Sequence, residues 1–368
     1  MNLGIPKESV AGETRVAAVP DLVKKIVKKG IQVVVESQAG MAAGFDDESY
    51  KTAGAQIGSA FGCDIVFKVR PPSDSELKSL KTGSLFISLL EPYNRADLLQ
   101  SLAQNKVNAM AMEWLPRTSR AQSMDVLSSQ AGIAGYRAVL EACYQYGRFF
   151  PMMMTSAGMA KPARVVILGA GVAGLQAIAS ARKLGAQVEA FDVRSEVKEQ
   201  ILSLGAKFIE LNLGEEGAGK GGYAKELSAD AQKRQQLALA EKLKSADIVI
   251  STANIPGRKS PVLILEEAVK GMRRGSVIVD MAAANGGNCP LSEADKIVEK
   301  FGVKIVGFTN FAAQMPADAS LFYGNNLWNL LNLVLETKEG QTRLNYNLED
   351  DIVAACLVSY NGELRRKS

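Results

Sequence analysis

Gly169-Ala170-Gly171-Val172-Ala173-Gly174 follows the apolar run Arg164 to Leu168 and opens a helical pattern over Val172 to Leu184. A G-x-G-x-x-G placed between a strand and a helix lets the backbone turn tightly, lets a pyrophosphate approach it closely, and packs the helix on the strand. The phosphates then meet the helix N-terminus, where unpaired N–H groups and the macrodipole attract negative charge. Working outward, the next apolar run, Gln187 to Phe191, ends at Asp192, close to the ~20-residue spacing at which a ribose-binding carboxylate stands. A carboxylate there accepts hydrogen bonds from the adenosine ribose and repels a 2′-phosphate, which selects NAD(H) over NADP(H). The plainer alternative is a glycine-rich turn in some other doubly wound sheet.

Further apolar runs continue the same unit: Lys207 to Glu210, Asp247 to Ser251, Ser276 to Asp280 and Lys304 to Val306. With the first two they make six strands, which suits a doubly wound parallel sheet with its cofactor at the switch point. Between them Gly214-Glu215-Glu216-Gly217-Ala218-Gly219-Lys220-Gly221-Gly222-Tyr223 is too polar and glycine-rich to pack. It reads as a mobile lid carrying Tyr223 at its end, or as a spacer without a role.

Upstream, Asn2 to Ile5, Ile31 to Val35, Ile65 to Val69, Leu85 to Leu89 and Asn108 to Met112 read as buried strands. Helical patterns from Pro20 and over Ala96 to Gln104 alternate with them, which argues for a first α/β domain. The polar stretch Glu113 to Asp125 precedes a helix over Ser128 to Arg148, whose face would carry Ile133, Tyr136, Val139, Leu140, Cys143, Tyr144 and Gly147. Met152-Met153-Met154 reads as core filler at a domain joint. A Leu-rich helix over Ala317 to Glu336 and a final apolar run then return the chain to the first domain. The expected fold class is therefore α/β, with two Rossmann-like domains built on parallel sheets and joined by long helices. The dinucleotide domain, 129–310, is inserted into a composite domain of 1–128 and 311–368.

At 368 residues the chain is long enough for two cores. A formal net charge of +4, with acids and bases interspersed, gives no reason to expect nucleic acid. Cys63, Cys143, Cys289 and Cys356 are far apart and show no metal-ligand spacing, so no metal is expected, and a reducing compartment fits better than a disulfide scaffold. Met1 to Pro6 reads as a strand rather than a leader, and no run of roughly 18 apolar residues is present to span a membrane. The chain contains no histidine. A dehydrogenase that oxidises a hydroxyl or amine needs a group that takes a proton near neutral pH, and histidine is the usual choice.

Arg117-Thr118-Ser119-Arg120-Ala121-Gln122-Ser123-Met124-Asp125-Val126-Leu127-Ser128-Ser129-Gln130 resembles the NAD(H)-binding component of proton-translocating NAD(P) transhydrogenases, in the alanine dehydrogenase/transhydrogenase superfamily. Gly12 to Ala17, Gly169 to Gly174, Gly221 to Glu226 and Gly286 to Leu291 are similar to the same family, and the likeness covers nearly the whole chain. The resemblance implies hydride transfer between NAD(H) on this chain and NADP(H) on a separate component. It also implies a homodimer, a membrane-spanning component that moves protons, and a cytoplasmic chain held peripherally at the membrane through its partners.

By the same resemblance, Arg117, Gln122, Asp125, Ser128 and Tyr223 would act at the nicotinamide end, with Tyr136 in support and Val126 alongside. Gly169, Ala170, Gly171, Val172 and Gly174 would meet the pyrophosphate, and Asp192, Val193 and Arg194 the adenosine ribose. Gly222, Asn254 and Gln235 would complete the cofactor site. Passing hydride from one dihydronicotinamide to another ring needs no side-chain acid or base, only two rings held about 3 to 3.5 Å apart with water excluded, so a chain without histidine can do it. The related alanine dehydrogenases carry a catalytic histidine where this sequence has Leu90-Glu91-Pro92, and an aspartate near Ala284 or Asn285. Both departures remove proton-transfer groups and weaken an amino-acid oxidoreductase reading. A non-catalytic NAD(H)-sensing module is the other alternative.

Overall fold

The structure, a computed structural model, describes residues 1–212, 217, 227–255, 257–338 and 341–365. It divides into two compact units, Met1–Gln130 with Ala312–Ser368, and Ala131–Phe311.

In the first unit, β1 (Asn2–Ile5), β2 (Gln32–Val35), β3 (Gln56–Ile57), β4 (Ile65–Phe67), β5 (Leu85–Ser88) and β6 (Asn108–Ala111) form a parallel sheet in the order β3-β2-β1-β4-β5-β6. This is the doubly wound order, with its switch point between β1 and β4. The C-terminal segment then adds β18 (Leu357–Tyr360) antiparallel on β6, and β19 (Glu363–Leu364) antiparallel on β18. The sheet is therefore mixed at one edge rather than parallel throughout.

Around it run α1 (Pro20–Lys28), α2 (Asp47–Thr52), α3 (Asp74–Ser79), α4 (Ala96–Gln104), α10 (Pro316–Asn332) and α11 (Asp351–Cys356). Proline at its first position and Asp21 in the first turn start α1, and its apolar stripe Leu22, Val23 and Ile26 is buried. The Leu-rich helix ends at Asn332 rather than Glu336. Past Leu333 the chain turns into β16 (Leu335–Lys338), which pairs antiparallel with β17 (Gln341–Leu344).

The second unit holds β9 (Arg164–Leu168), β10 (Gln187–Phe191), β11 (Lys207–Phe208), β12 (Ile248–Ser251), β13 (Val277–Asp280), β14 (Ile297–Lys300) and β15 (Val303–Val306) in the order β11-β10-β9-β12-β13-β15-β14. Among the described residues this sheet has seven strands rather than six. The addition, β14, is antiparallel to β15 through the two-residue turn Phe301-Gly302, where both φ angles are positive, at 56° and 80°. α6 (Val172–Lys183), α7 (Lys198–Ser203), α8 (Ala229–Leu243) and α9 (Glu266–Gly271) complete the unit.

α5 (Val126–Gln145) contains the boundary between the units at Gln130/Ala131. The second boundary, Phe311/Ala312, falls ahead of α10, so one long helix carries the chain across rather than two. α5 starts two residues earlier than the sequence pattern suggests, because the Asp125 carboxylate accepts the Ser128 N–H at 3.0 Å and caps it. Its buried face is also different. Ile133, Gly135, Ala138, Val139 and Ala142 face the core, whereas Tyr136 is 39% and Tyr144 83% exposed. The reason is close packing: a Cβ on Gly135 would lie 2.1 Å from the Ala173 carbonyl oxygen, so only glycine lets α5 meet the start of α6. Met153 and Met154 fill no core either. They belong to β7 (Met153–Thr155), paired with β8 (Gly158–Ala160) in an exposed hairpin where Met154 is 68% exposed.

At the first unit's switch point stands a buried charge cluster. Lys68, following β4, is fully buried and lies 2.9 Å from Glu8, following β1, and 3.6 Å from Glu76. Glu8 also accepts the Val69 N–H at 2.6 Å, and burial pushes its carboxyl up despite the adjacent cation. Removing one member of a buried pair strands the other charge. Lys68→Met is therefore expected to cost about 3–5 kcal/mol of stability in urea unfolding. Adding Glu8→Gln should restore part of that loss, and an equal or larger loss in the double variant would count against the pairing.

Candidate functional site

The glycine loop is shaped by close backbone approach. Gly169 leaves β9 with a φ of +99°, and a Cβ there would meet the Thr252 Oγ1 at 2.7 Å. A Cβ on Gly174 would lie 1.9 Å from the Gly169 carbonyl oxygen, so any side chain would push α6 away from the strand. Around Gly171, by contrast, a Cβ would meet nothing within 4 Å among the described residues. Gly171 is the N-cap of α6, and no side chain caps that end. First-turn N–H groups beside open space are what a pyrophosphate requires, so these residues fit the dinucleotide that the loop implies.

Asp192 ends β10 and faces the loop. One carboxylate oxygen accepts the Ala170 N–H at 2.7 Å and the Arg194 Nη2 at 2.8 Å, and the other accepts the Arg194 N–H at 2.9 Å and Nε at 2.8 Å. Asp192 is thereby locked to the loop on one side and to Arg194 on the other, and the pairing pushes the Arg194 guanidinium above its ordinary range. Val193 is half-buried, and its carbonyl accepts the Gly217 N–H at 3.1 Å.

Across the switch point, Thr252 donates its N–H to the Leu168 carbonyl at 2.8 Å, and Asn254 is exposed just beyond it. The Asn254 Oδ1 accepts from Asn285 at 3.0 Å and from Ser260 at 3.2 Å. Asn288, buried, donates to the carbonyls of Ala253 and Pro261, each at 2.8 Å, and so fixes the Asn254 turn. Gln235 is buried on α8. Gly222 and Tyr223, with the expected lid apart from Gly217, lie outside the described residues.

The other predicted residues belong to the first unit. Arg117 is exposed after Pro116, and Gln122 is exposed on the 3-10 segment Ser119–Met124. Asp125 and Ser128 are half-buried and bonded to each other, with the Ser128 hydroxyl donating to the carboxylate at 2.5 Å. Val126 is 1% exposed in the core, and its carbonyl accepts the Ser129 hydroxyl at 3.2 Å, so the residue offers a nucleotide no exposed surface of its own.

The surrounding anchors were not singled out by sequence reasoning. Arg120, inside the same motif, forms a bidentate pair with Asp350 at 2.6 and 2.9 Å and also bonds Asp351. Arg15 pairs with Glu13 at 2.6 Å and donates to Gln130 at 2.9 Å. The asparagines at 326 and 329, one turn apart in a Leu-rich helix, were the available signal for a third anchor: both donate to the Ser123 carbonyl.

After β5, in the Leu90-Glu91-Pro92 turn, Glu91 adopts a φ of +53° and pairs with Arg70 at 3.0 Å. The Leu90 and Glu91 N–H groups donate to the Glu113 carboxylate at 3.1 and 2.7 Å, and burial pushes that carboxyl up. Ala283–Asn285 form a 3-10 turn with no titratable side chain. Among the described residues, no group of three or more candidate ligands could hold a metal ion, and no helix is long and apolar enough to cross a membrane.

Two Rossmann-type units, one carrying an open glycine loop braced by a carboxylate at the end of the next strand, define an α/β protein of the dinucleotide-binding class. The chain belongs to the alanine dehydrogenase/PNT family, matching its N-terminal domain over residues 4–134 and its C-terminal domain over 138–367. It is 46% identical to an NAD(P) transhydrogenase alpha-subunit protein of Rhodospirillum rubrum, over 99% of this chain and 97% of that one. The structure of a transhydrogenase from Sinorhizobium meliloti superposes with a TM-score of 0.89 at 42% identity, covering 99% and 100% of the two chains. An L-alanine dehydrogenase structure superposes at 0.80 with 27% identity, covering 99% and 96%.

The Asp192 geometry makes a prediction. Asp192→Asn removes the charge that opposes a 2′-phosphate and releases Arg194, which is then able to pair with one. The ratio of NADP(H) to NAD(H) affinity, measured by titration, should rise by about tenfold or more, roughly 1.4 kcal/mol. An unchanged ratio would show that another group excludes the phosphate.

Proposed function

We propose that this chain is the NAD(H)-binding component of an NAD(P) transhydrogenase, exchanging hydride with NADP(H) held on a separate component. In this reading it acts as a homodimer, docks peripherally on a membrane-spanning partner that translocates protons, and has no catalytic output without those partners. What carries the reading is a combination: the Arg117 to Ser128 segment is complete, while the turn after β5 holds a Glu91–Arg70 ion pair and no histidine. NAD(H), when bound, supplies a hydride at its nicotinamide ring. The task left to side chains is orientation and exclusion of water.

Gly169, Ala170, Gly171, Val172 and Gly174 would then receive the pyrophosphate. Asp192, Val193 and Arg194 would receive the adenosine ribose, and Gly222, Gln235 and Asn254 would line the remainder. Gln122 would hydrogen-bond near the nicotinamide or its ribose. Asp125 and Ser128, already fixed to each other, would wall that end. Arg117 would approach the partner's nucleotide, and Tyr223 would close over the site.

Mixing the chain with a transhydrogenase NADP(H)-binding component should give hydride exchange between NADH and an NADP analogue. Binding of both nucleotides and of the partner without exchange would reduce the chain to a sensor, and sustained L-alanine-dependent reduction of NAD would favour the amino-acid reading. Gln122→Asn retracts the amide by one carbon. It should slow transfer by about tenfold or more while changing the NADH dissociation constant much less, because misplacement acts on the transition state. Equal losses in both would contradict the role.

A further inference from the structure

We infer that Asn326 is a positioning residue for hydride transfer, acting as a clamp on the segment that carries Gln122, Asp125 and Ser128. The inference rests on the function proposed above but concerns a residue outside the motif. Asn326 lies on α10, is 7% exposed, and uses both ends of its amide. Its Nδ2 donates to the Ser123 carbonyl at 2.8 Å, and its Oδ1 accepts the Ser129 hydroxyl at 2.7 Å. Ser123 and Ser129 flank Asp125 to Ser128, and Ser123 directly follows Gln122. One buried side chain therefore ties both ends of the short turn between the 3-10 segment and α5.

The surroundings support a clamp rather than general packing. Asn329, one turn further along α10, donates to the same Ser123 carbonyl at 2.9 Å, filling its second lone pair. Gln130, next to Ser129, is held by Arg15 at 2.9 Å and itself donates to the Ala319 carbonyl at 3.0 Å. Gln122 is exposed and has little packing of its own to define it, so its placement depends on the backbone at Ser123. A misplacement of about 1 Å remote from the chemistry can cost ~100-fold in rate.

Asn326→Ala is tolerable for the fold. Ser123 keeps its bond from Asn329, and the Ser129 hydroxyl keeps the Val126 carbonyl at 3.2 Å. The experiment compares the full chain with Asn326→Ala, Gln122→Asn and the double variant, by three measurements. Amide hydrogen exchange should quicken by about tenfold or more over Ser123 to Ser129, with the strands unchanged. The NADH dissociation constant, by fluorescence titration, should move less than about threefold, while single-turnover transfer to an NADP analogue on the partner component slows by about tenfold or more. The double variant should transfer hardly more slowly than Gln122→Asn alone, because both changes act through one side chain.

Unchanged exchange overturns the clamp. Transfer and affinity falling together, or two rate losses that multiply in the double variant, overturn its action through Gln122. A wild-type chain that binds both nucleotides and the partner but transfers no hydride overturns the proposed function and any catalytic role for Asn326 with it, and the exchange data then show separately whether the clamp exists.

Discussion

The Gly169 carbonyl leaves no space for a side chain at Gly174, and the Thr252 hydroxyl leaves none at Gly169. This exclusion fixes where α6 begins, how near it sits to β9, and where its uncapped N–H groups point. The same close approach recurs one layer out, where Gly135 admits the Ala173 carbonyl and brings α5 against the start of α6. Within the second unit, the glycine-loop end is thus set largely by backbone meeting backbone. Such contacts have none of the rotamer freedom that a side chain must lose on binding.

The two units share one strand order and treat their switch points in opposite ways. In the second, the ends of β9 and β12 leave an open glycine loop. In the first, the ends of β1 and β4 are closed by Glu8 and Lys68, with Tyr323 donating to the Lys68 carbonyl at 2.8 Å. That crevice is occupied by its own ion pair. Its contribution is indirect, because α10, which supplies Tyr323, also supplies Asn326 and Asn329 to the Ser123 turn.

Much of the fold was legible because periodicity and glycine placement are local signals. The strands β1, β2, β4, β5, β6, β9, β10, β12, β13 and β15 stand where apolar runs marked them, and the loop after β9 follows from its glycines. What was missed depends on partners remote in sequence. Two residues of β3 mean little until they meet β2, and β18 is defined by its pairing with β6. Phe301-Gly302 is not the Asn-Gly that announces a hairpin, although it adopts the same backbone. The buried face of α5 was misread because its tyrosines looked apolar, whereas a stripe of glycine and alanine packs more closely. At the site, spacing from the glycine loop pointed to Asp192 and the family resemblance to the polar segment, but the bonds that hold them, Ala170 to Asp192 and Asn326 to Ser123, join positions with no sequence periodicity in common.

The internal pairing of Asp192 with Arg194 also affects the approach of a nucleotide. An uncompensated carboxylate beside the loop would repel an incoming pyrophosphate from a distance, slowing capture and making it depend on ionic strength. With the guanidinium fixed against it, the monopole is cancelled and a short-range dipole remains. The pairing therefore weakens, at this edge of the sheet, the long-range repulsion that the Asp192 carboxylate alone would exert on an approaching anion.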